Sequence, residues 1–361
     1  MKKCFSGFIK VSFLIFIVSF LIYLLCLSSS QIADFVNGTV SVGIRFILST
    51  LSYSLPFSIF EALIILSIPM LILTVVILLR RIGGKADMLR GVLSLLAVIS
   101  IIVTAYIYTL GVGYRTTSLS ERIGVEEDTD LTADELYSTL TAVISEVNSL
   151  ADRVMLTDGQ TRMQYSVNEM SGKLIHAYDI MNEKYSLLRN YTSRVKPVYF
   201  STVMSDLGIT GIYSFFTGEA NVNIEYPDYY IPFTSAHELA HQRGISRENE
   251  ANFVAFLVCI SSDDEYIRYS GYLNMYEYLS YALYSTDRQL YNDALGTLSP
   301  VAISDMRAAD AVYQKHKDSP LGRINEKLND AYLKANGTEG VVSYGYVVRL
   351  AVGYYQKQNN G

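Results

Sequence analysis

Three long apolar runs in the first third of this 361-residue chain fix the solvent in which it can fold. Val11 to Leu27 is almost uninterrupted apolar sequence, and Phe57 to Leu79 and Gly91 to Leu110 follow at similar length. Each is long enough to cross a bilayer core, which is about 30 Å thick and takes about 20 apolar residues of helix. The chain is 50% hydrophobic and 18% charged, but the average hides a division, because everything after the third run is polar and rich in tyrosine. Residues 1–113 are therefore expected to form a membrane region with helices near 11–27, 57–79 and 91–110, and residues 114–361 a separate globular domain.

Charge sets the orientation. Lys2, Lys3 and Lys10 precede or open the first run, and Arg80, Arg81, Lys85 and Arg90 face a single acid, Asp87, between the second and third. Basic loops stay in the cytoplasm, so three crossings put the chain after Tyr114 outside it. The expectation is a multi-pass protein of the cytoplasmic membrane, with the lipid bilayer as partner and an extracytoplasmic C-terminal domain. Cleavage of the first run near Ser28-Ser29-Ser30 is the alternative to an uncleaved anchor, and the length of the run favours the anchor. Val40 to Leu55 has a helical apolar period with scattered serines, which suits a segment on the membrane surface or against the external domain. Glu61, near the outer end of the second run, either contacts that domain or its substrate, or reaches for the interface.

The globular part reads as mainly α, with a small β-hairpin or sheet. Helical periods cover about 132–155, 170–192, 201–207, 232–243, 247–261, 264–285, 298–317, 322–335 and 341–355. Lys196 to Thr202 and Gly211 to Tyr226 are the best strand candidates, the latter divided at Gly218 into a hairpin. Asn221, Val222 and Asn223 either offer backbone hydrogen bonds to an extended substrate or serve the fold, and Glu219 is a candidate to approach the metal pocket. Cys4, Cys26 and Cys259 provide no disulfide framework and read as small buried hydrophobes.

Within the predicted helix 232–243, two of the chain's four histidines stand four apart in His237-Glu238-Leu239-Ala240-His241. Residues i and i+4 share a helix face, so both imidazoles can bind one zinc ion, with Glu238 beside the open coordination position as general base. The competing structural reading is an S-x-x-E capping box formed by Ser235 and Glu238. A catalytic zinc needs a third protein ligand. Gly244 is a natural helix stop, Ser246 a candidate cap, and Glu248 and Asn252 share one face of the helix that follows while Glu250 points away. Glu248 is thus the expected ligand, Asn252 a supporting partner, and Glu250 the reserve.

This pattern, HExxH followed by Glu248-Asn249-Glu250-Ala251-Asn252, resembles the gluzincin peptidases, including the CAAX-processing and ImmA-like families. The resemblance implies zinc on His237, His241 and Glu248, catalysis by Glu238, and a supporting role for Asn252, which stands where the CAAX-processing enzymes have aspartate. A broader resemblance is carried by Pro56-Phe57-Ser58 with Glu61, Ser205 to Gly211, Phe216 to Asn223, the HExxH region, Tyr332 to Gly337, and Ser343-Tyr344-Gly345. It is to the clostridial-type bacterial membrane proteins of domain of unknown function 3810, and implies a zincin site in what the apolar runs suggest is a zincin-like domain on three transmembrane helices.

The expected activity is zinc-dependent hydrolysis of peptide bonds in a peptide or protein substrate. A zinc-containing sensor or scaffold without catalysis is the alternative, disfavoured because it has no need of Glu238. Tyr344, Arg349, Tyr229 and Tyr230 are candidates for stabilising the oxyanion. The formal net charge of −6, without a basic stripe in the globular part, disfavours nucleic acid.

Overall fold

The computed structural model describes residues 2–81, 85–125, 130–337 and 344–360. Residues 82–84 of the basic loop and Ser343 lie outside the described residues, as do the side chains of Lys2, Lys3, Cys4, Arg80, Arg81, Lys85, Asp87 and Tyr344.

The chain is mainly helical. The apolar part comprises α1 (Lys2–Ser28), α2 (Ser30–Val36), a π-helical turn (Asn37–Ser41), α3 (Val42–Tyr53), α4 (Ile59–Arg81) and α5 (Lys85–Thr109). A 3₁₀ turn (Gly111–Arg115) leads to the polar part, which starts with α6 (Leu119–Ile123), α7 (Ala133–Ala151), the two-residue strands β1 (Leu156–Thr157) and β2 (Gln160–Thr161), and α8 (Val167–Tyr185). β3 (Val195–Pro197), α9 (Ser201–Asp206), β4 (Gly211–Ser214) and β5 (Glu219–Val222) precede α10 (Tyr230–Gln242) and α11 (Glu248–Ile260). α12 (Glu265–Thr286), α13 (Arg288–Leu295), α14 (Pro300–His316), α15 (Pro320–Ala335) and α16 (Tyr344–Asn360) complete the order.

Local chemistry explains where many of these helices start. Thr132 with Glu135, and Ser166 with Glu169, form reciprocal capping boxes at α7 and α8, and Asp264 and Asp287 cap α12 and α13. Ser299-Pro300 and Ser319-Pro320 place a cap and a preorganised first residue at α14 and α15. α11 lies at the centre of the polar part: Phe253 to Cys259 are all fully buried, as expected of a helix that is apolar all round. Side chains as large as Phe253 and Phe256 contribute roughly 2 kcal/mol each by leaving water.

β5 is the middle strand of a three-stranded sheet, parallel to β3 and antiparallel to β4. The hairpin predicted around Gly218 is present, and Gly218 has φ +71°, where a side chain would be strained. The strand expected at 196–202 stops at Pro197, because the Tyr199 and Phe200 N–H groups turn to the Glu61 carboxylate and a helix begins at Ser201. The helix expected to reach residue 192 ends at Tyr185, where Ser186 adopts a left-handed φ of 50°.

Among the described residues, four helical segments are long and apolar enough to cross a membrane: Gly7–Ser28, Ser30–Tyr53, Ile59–Val76 and Met88–Thr109. The second covers the stretch expected to lie outside the bilayer, and it packs against the polar part. Its Phe46 ring meets Tyr191 edge-on at 5.6 Å, and Arg45, almost fully buried, donates to the Asn37 side chain and to the Tyr108 carbonyl.

The sheet itself grips the α3–α4 connection. Lys196 on β3 donates to the carbonyls of Ser52 and Leu55 at the C-terminal end of α3, while Glu219 on β5 accepts the N–H groups of Ile59 and Phe60 at the start of α4. Each charge sits on the helix end whose dipole it complements. Ser58 donates to Asn221 at 2.7 Å beside them. Glu219 thus serves the junction between the two parts, and Glu61, one of the two open readings, contacts the polar part.

Candidate metal centre

α10 begins at Tyr230 with Pro232 in its first turn, seven residues before His237. Ser235 lies inside the helix without a hydrogen-bond partner among the described residues, so the Ser235–Glu238 capping box is absent. The helix ends at Gln242, and Gly244 turns the chain with φ +102°, a conformation that favours glycine. Three residues then return the chain to α11, whose first residue is Glu248.

This helix–turn–helix brings three donors together. The Nε2 atoms of His237 and His241 are 3.0 Å apart, and Glu248 Oε2 lies 3.2 Å from the first and 3.5 Å from the second. One ligand atom from each residue falls within 4.8 Å of the others. His241 Nδ1 lies 2.7 Å from the Ile245 carbonyl, which fixes the proton on Nδ1 and leaves the Nε2 lone pair for a metal.

Glu238 is buried beside this cluster, against β4. A Cβ on Gly211 would stand 2.6 Å from Glu238 Oε1, so only glycine lets the strand approach so closely. The Tyr213 backbone N–H faces the same carboxylate, whereas Oε2 is buried with no partner among the described residues. Burial pushes the Glu238 carboxyl up, against the pull of the two imidazoles. Burial also disfavours charge on His241, but Glu248, Glu238 and the Ile245 carbonyl outweigh it and carry the imidazole up to about 9. Glu248 is held well below the usual carboxylate range, since both imidazoles overcome the effect of its burial. Two imidazole nitrogens and a carboxylate oxygen, with an orphaned carboxylate oxygen adjacent, fit a zinc ion with an open position.

The turn between the ligands is held by the apolar part. Asn37 donates to the Gly244 carbonyl at 3.1 Å, Ser246 to the Leu110 carbonyl at 2.7 Å, and Arg247 to the carbonyls of Tyr114 and Thr116. Ser246 is therefore a tether, and not the expected cap of α11, whose N-cap is Arg247 without a side-chain bond. Gly113 is packed so tightly on Ser246 and Gly244 that a side chain there has no room.

Other expected participants fall elsewhere. Glu250 accepts the Leu119 N–H and pairs with Arg247, so its role is to tie α11 to α6. Asn252 is half-buried one turn beyond Glu248. Asn221 and Val222 belong to the central strand, and the Asn221 and Asn223 amides bond back into the fold at Ile212 and Ile209, so these residues do not form a free edge. The edge is β4. Thr210 accepts the Asn223 N–H, and Val222 accepts from Val198 on its other side, so the backbone groups of Gly211 and Tyr213 face away from β5. Tyr229 and Tyr230 both donate to Glu277, and Arg349 stacks on Tyr346.

Two tyrosines absent from the sequence reading stand near the cluster. Tyr114 and Tyr332, whose hydroxyls are 3.3 Å apart, both feel the charge of Glu248, and both are pushed up chiefly by burial. Their proximity depends on pairing residues 218 apart in sequence, although Tyr332 opens one of the segments that carried the family resemblance.

These features describe a helical protein with apolar N-terminal helices and a His-His-Glu cluster on adjacent helices of its polar part. The chain belongs to the DUF3810 family, described as proteins of unknown function, whose profile matches residues 35–352 and so spans the apolar and polar parts together. Comparison with curated proteins and with solved structures returned no match.

Proposed function

We propose that this protein is a membrane-anchored zinc metallopeptidase, with His237, His241 and Glu248 as metal ligands and Glu238 as general base. The observation that carries this reading is the convergence of three ligand atoms within 4.8 Å beside the orphaned Oε2 of Glu238. Zinc bound there supplies Lewis acidity, acidifying a water and polarising a carbonyl. Glu238 accepts the proton of the attacking water and returns it to the departing amine, a role suited to a carboxyl already pushed up by burial. The outward backbone groups of Gly211 and the Tyr213 carbonyl hydrogen-bond an extended peptide along β4, while the Tyr213 N–H stays on Glu238. Tyr114 and Tyr332 both feel the charge of Glu248, and one of them hydrogen-bonds the carbonyl oxygen as it gains charge.

Three of the four apolar segments cross the membrane in this reading. The segment 30–53 lies along the base of the polar domain, supported by its contacts through Asn37, Arg45 and Phe46. With the basic loop inside, the globular domain and its zinc are extracytoplasmic.

The test is Glu238→Gln in the full-length chain. Zinc content and thermal unfolding should match wild type, while peptide hydrolysis falls by at least about a hundredfold. Hydrolysis persisting at the wild-type rate overturns the mechanism. A zinc-loaded wild type that cleaves nothing in a broad peptide library points instead to a sensor.

A further inference from the structure

A cavity of about 540 Å³ lies between the start of α10 and helices α12 to α14. Six tyrosines line it: Tyr226, Tyr230, Tyr281, Tyr284, Tyr291 and Tyr313. Glu277 and Asp310 add carboxylates, and the lining contains no lysine, arginine or histidine. The hydroxyls of Tyr229 and Tyr230 donate to opposite oxygens of Glu277, each at 2.9 Å. Burial pushes the Glu277 carboxyl up and the two hydroxyls draw it back, so a cation entering the cavity meets a carboxylate oriented by neutral donors alone. Tyr284, one of the lining rings, carries the Arg288 guanidinium 5.0 Å from its centre, an instance of the ring–cation contact such tyrosines can make.

The cavity adjoins the metal centre through two elements. Thr210 forms part of its wall, and the next residue, Gly211, abuts Glu238. Tyr230 opens the helix that presents His237 seven residues later, about 10 Å along the axis at 1.5 Å per residue. An extended peptide covers that distance in about three residues.

We propose that the cavity is a recognition pocket for a lysine or arginine side chain of a peptide lying along β4, within about three residues of the scissile bond. The identity of the occupant as a substrate residue rests on the peptidase reading above. The ring faces attract a cation, Glu277 supplies a countercharge, and the volume admits a long side chain. A neutral side chain gains the contact area and forfeits both electrostatic contributions.

The test has a binding arm and a cleavage arm, both on the full-length protein in nonionic detergent. For binding, Nα-acetyl-lysine N-methylamide and its uncharged counterpart Nα-acetyl-norleucine N-methylamide are titrated by ligand-observed NMR against wild type and Glu238→Gln. The lysine probe should bind both proteins, at least about tenfold more tightly than norleucine, and Glu277→Gln should remove that difference. Tyr281→Leu and Tyr313→Leu, at rings 70% and 56% exposed, provide variants with little folding risk and should each weaken the lysine probe about threefold. Equal binding of the two probes, or indifference to the tyrosine changes, overturns the proposal. In the cleavage arm, peptide profiling should enrich lysine or arginine within three residues of the cut. Selective probe binding without any cleavage sinks the peptidase reading and leaves the pocket standing, whereas cleavage without basic preference or probe binding does the reverse.

Discussion

The side-chain amide of Asn37 donates to the backbone carbonyl of Gly244 at 3.1 Å, so a residue among the N-terminal apolar helices holds the turn between the histidines and Glu248. The angle between α10 and α11 decides whether Glu248 meets the imidazoles. Asn37, Leu110, Tyr114 and Thr116 all contact that turn or the residue before α11.

Asn37→Ala and Gly113→Ala should therefore each weaken zinc binding by roughly ten- to a hundredfold, the range found for groups that orient metal ligands. Competition with a chromophoric chelator on the full-length protein measures this. Unchanged affinity in both variants means the turn holds its shape unaided.

His237→Ala, His241→Ala and Glu248→Ala should each lower zinc affinity by at least about a hundredfold. Glu250→Ala should keep the metal and lose about 2 kcal/mol of stability, because the buried Leu119 N–H and the Arg247 guanidinium forfeit a charged partner. Metal analysis and thermal unfolding on the same samples distinguish the two carboxylates, and zinc lost only from the Glu250 variant would reverse their assignment.

Zinc binding should strengthen as pH rises toward about 9. Without metal, Glu248 and its neighbours hold a proton on His241 up to about that value, and the metal must displace it. Calorimetry at pH 7 in buffers of different ionisation enthalpy should show about one proton released per zinc. Affinity that is flat between pH 6 and 8 contradicts the coupling.

A second histidine governs stability away from the metal. His316 contacts Asp206 at 2.7 Å and Glu225 at 3.1 Å, and Lys315 also pairs with Glu225. Burial alone would raise Glu225, but Lys315, Ser205 and His316 bring it down to about 2, while hydrogen bonding to Asp206 raises His316. The depressed acid contributes fully above its unfolded value of about 4.3, and that contribution disappears as pH falls toward 2. The raised imidazole contributes fully below about 6.5 and loses its contribution as pH climbs through its folded value. His316→Gln should consequently cost most between about pH 4.5 and 6.5, read as the difference in unfolding temperature from wild type.

Topology has its own check. A reporter after Thr116 should be external and one between residues 80 and 90 cytoplasmic. If segment 30–53 also crosses, with the N-terminus inside, the two reporters exchange sides, and both reporters on one side would mean that Met88–Thr109 does not cross.

Local chemistry made the centre of the candidate site readable. His237 and His241 are one helical turn apart, and the helix face alone separates Glu248 from Glu250, whose carboxylate is committed to Leu119 and Arg247. The apolar period after Thr132 announced α7 for the same reason, whereas α8 starts at Val167, ahead of the expected residue 170, because Ser166 and Glu169 cap it there. Ser246 misled because a serine before a helix is an attractive cap, and only the fold reveals that the Leu110 carbonyl claims it. Asn221 to Asn223 resembled an edge because the hairpin hides its third partner, β3, which joins by parallel pairing from a distant segment. Tyr114 and Tyr332 were indistinguishable among 29 tyrosines until folding joined them.

Lys196 and Glu219 carry a consequence for biogenesis. Both side chains are wholly buried, and their described partners include the helix ends that flank the α3–α4 connection. A chain whose apolar helices have not yet assembled lacks those partners, so docking of the helices exchanges water for helix ends at both side chains. The same sheet supplies the strand against Glu238. Docking of the apolar helices and the seating of the strand on Glu238 are therefore coupled through one sheet, so a change at Lys196 or Glu219 should be felt on both sides of it.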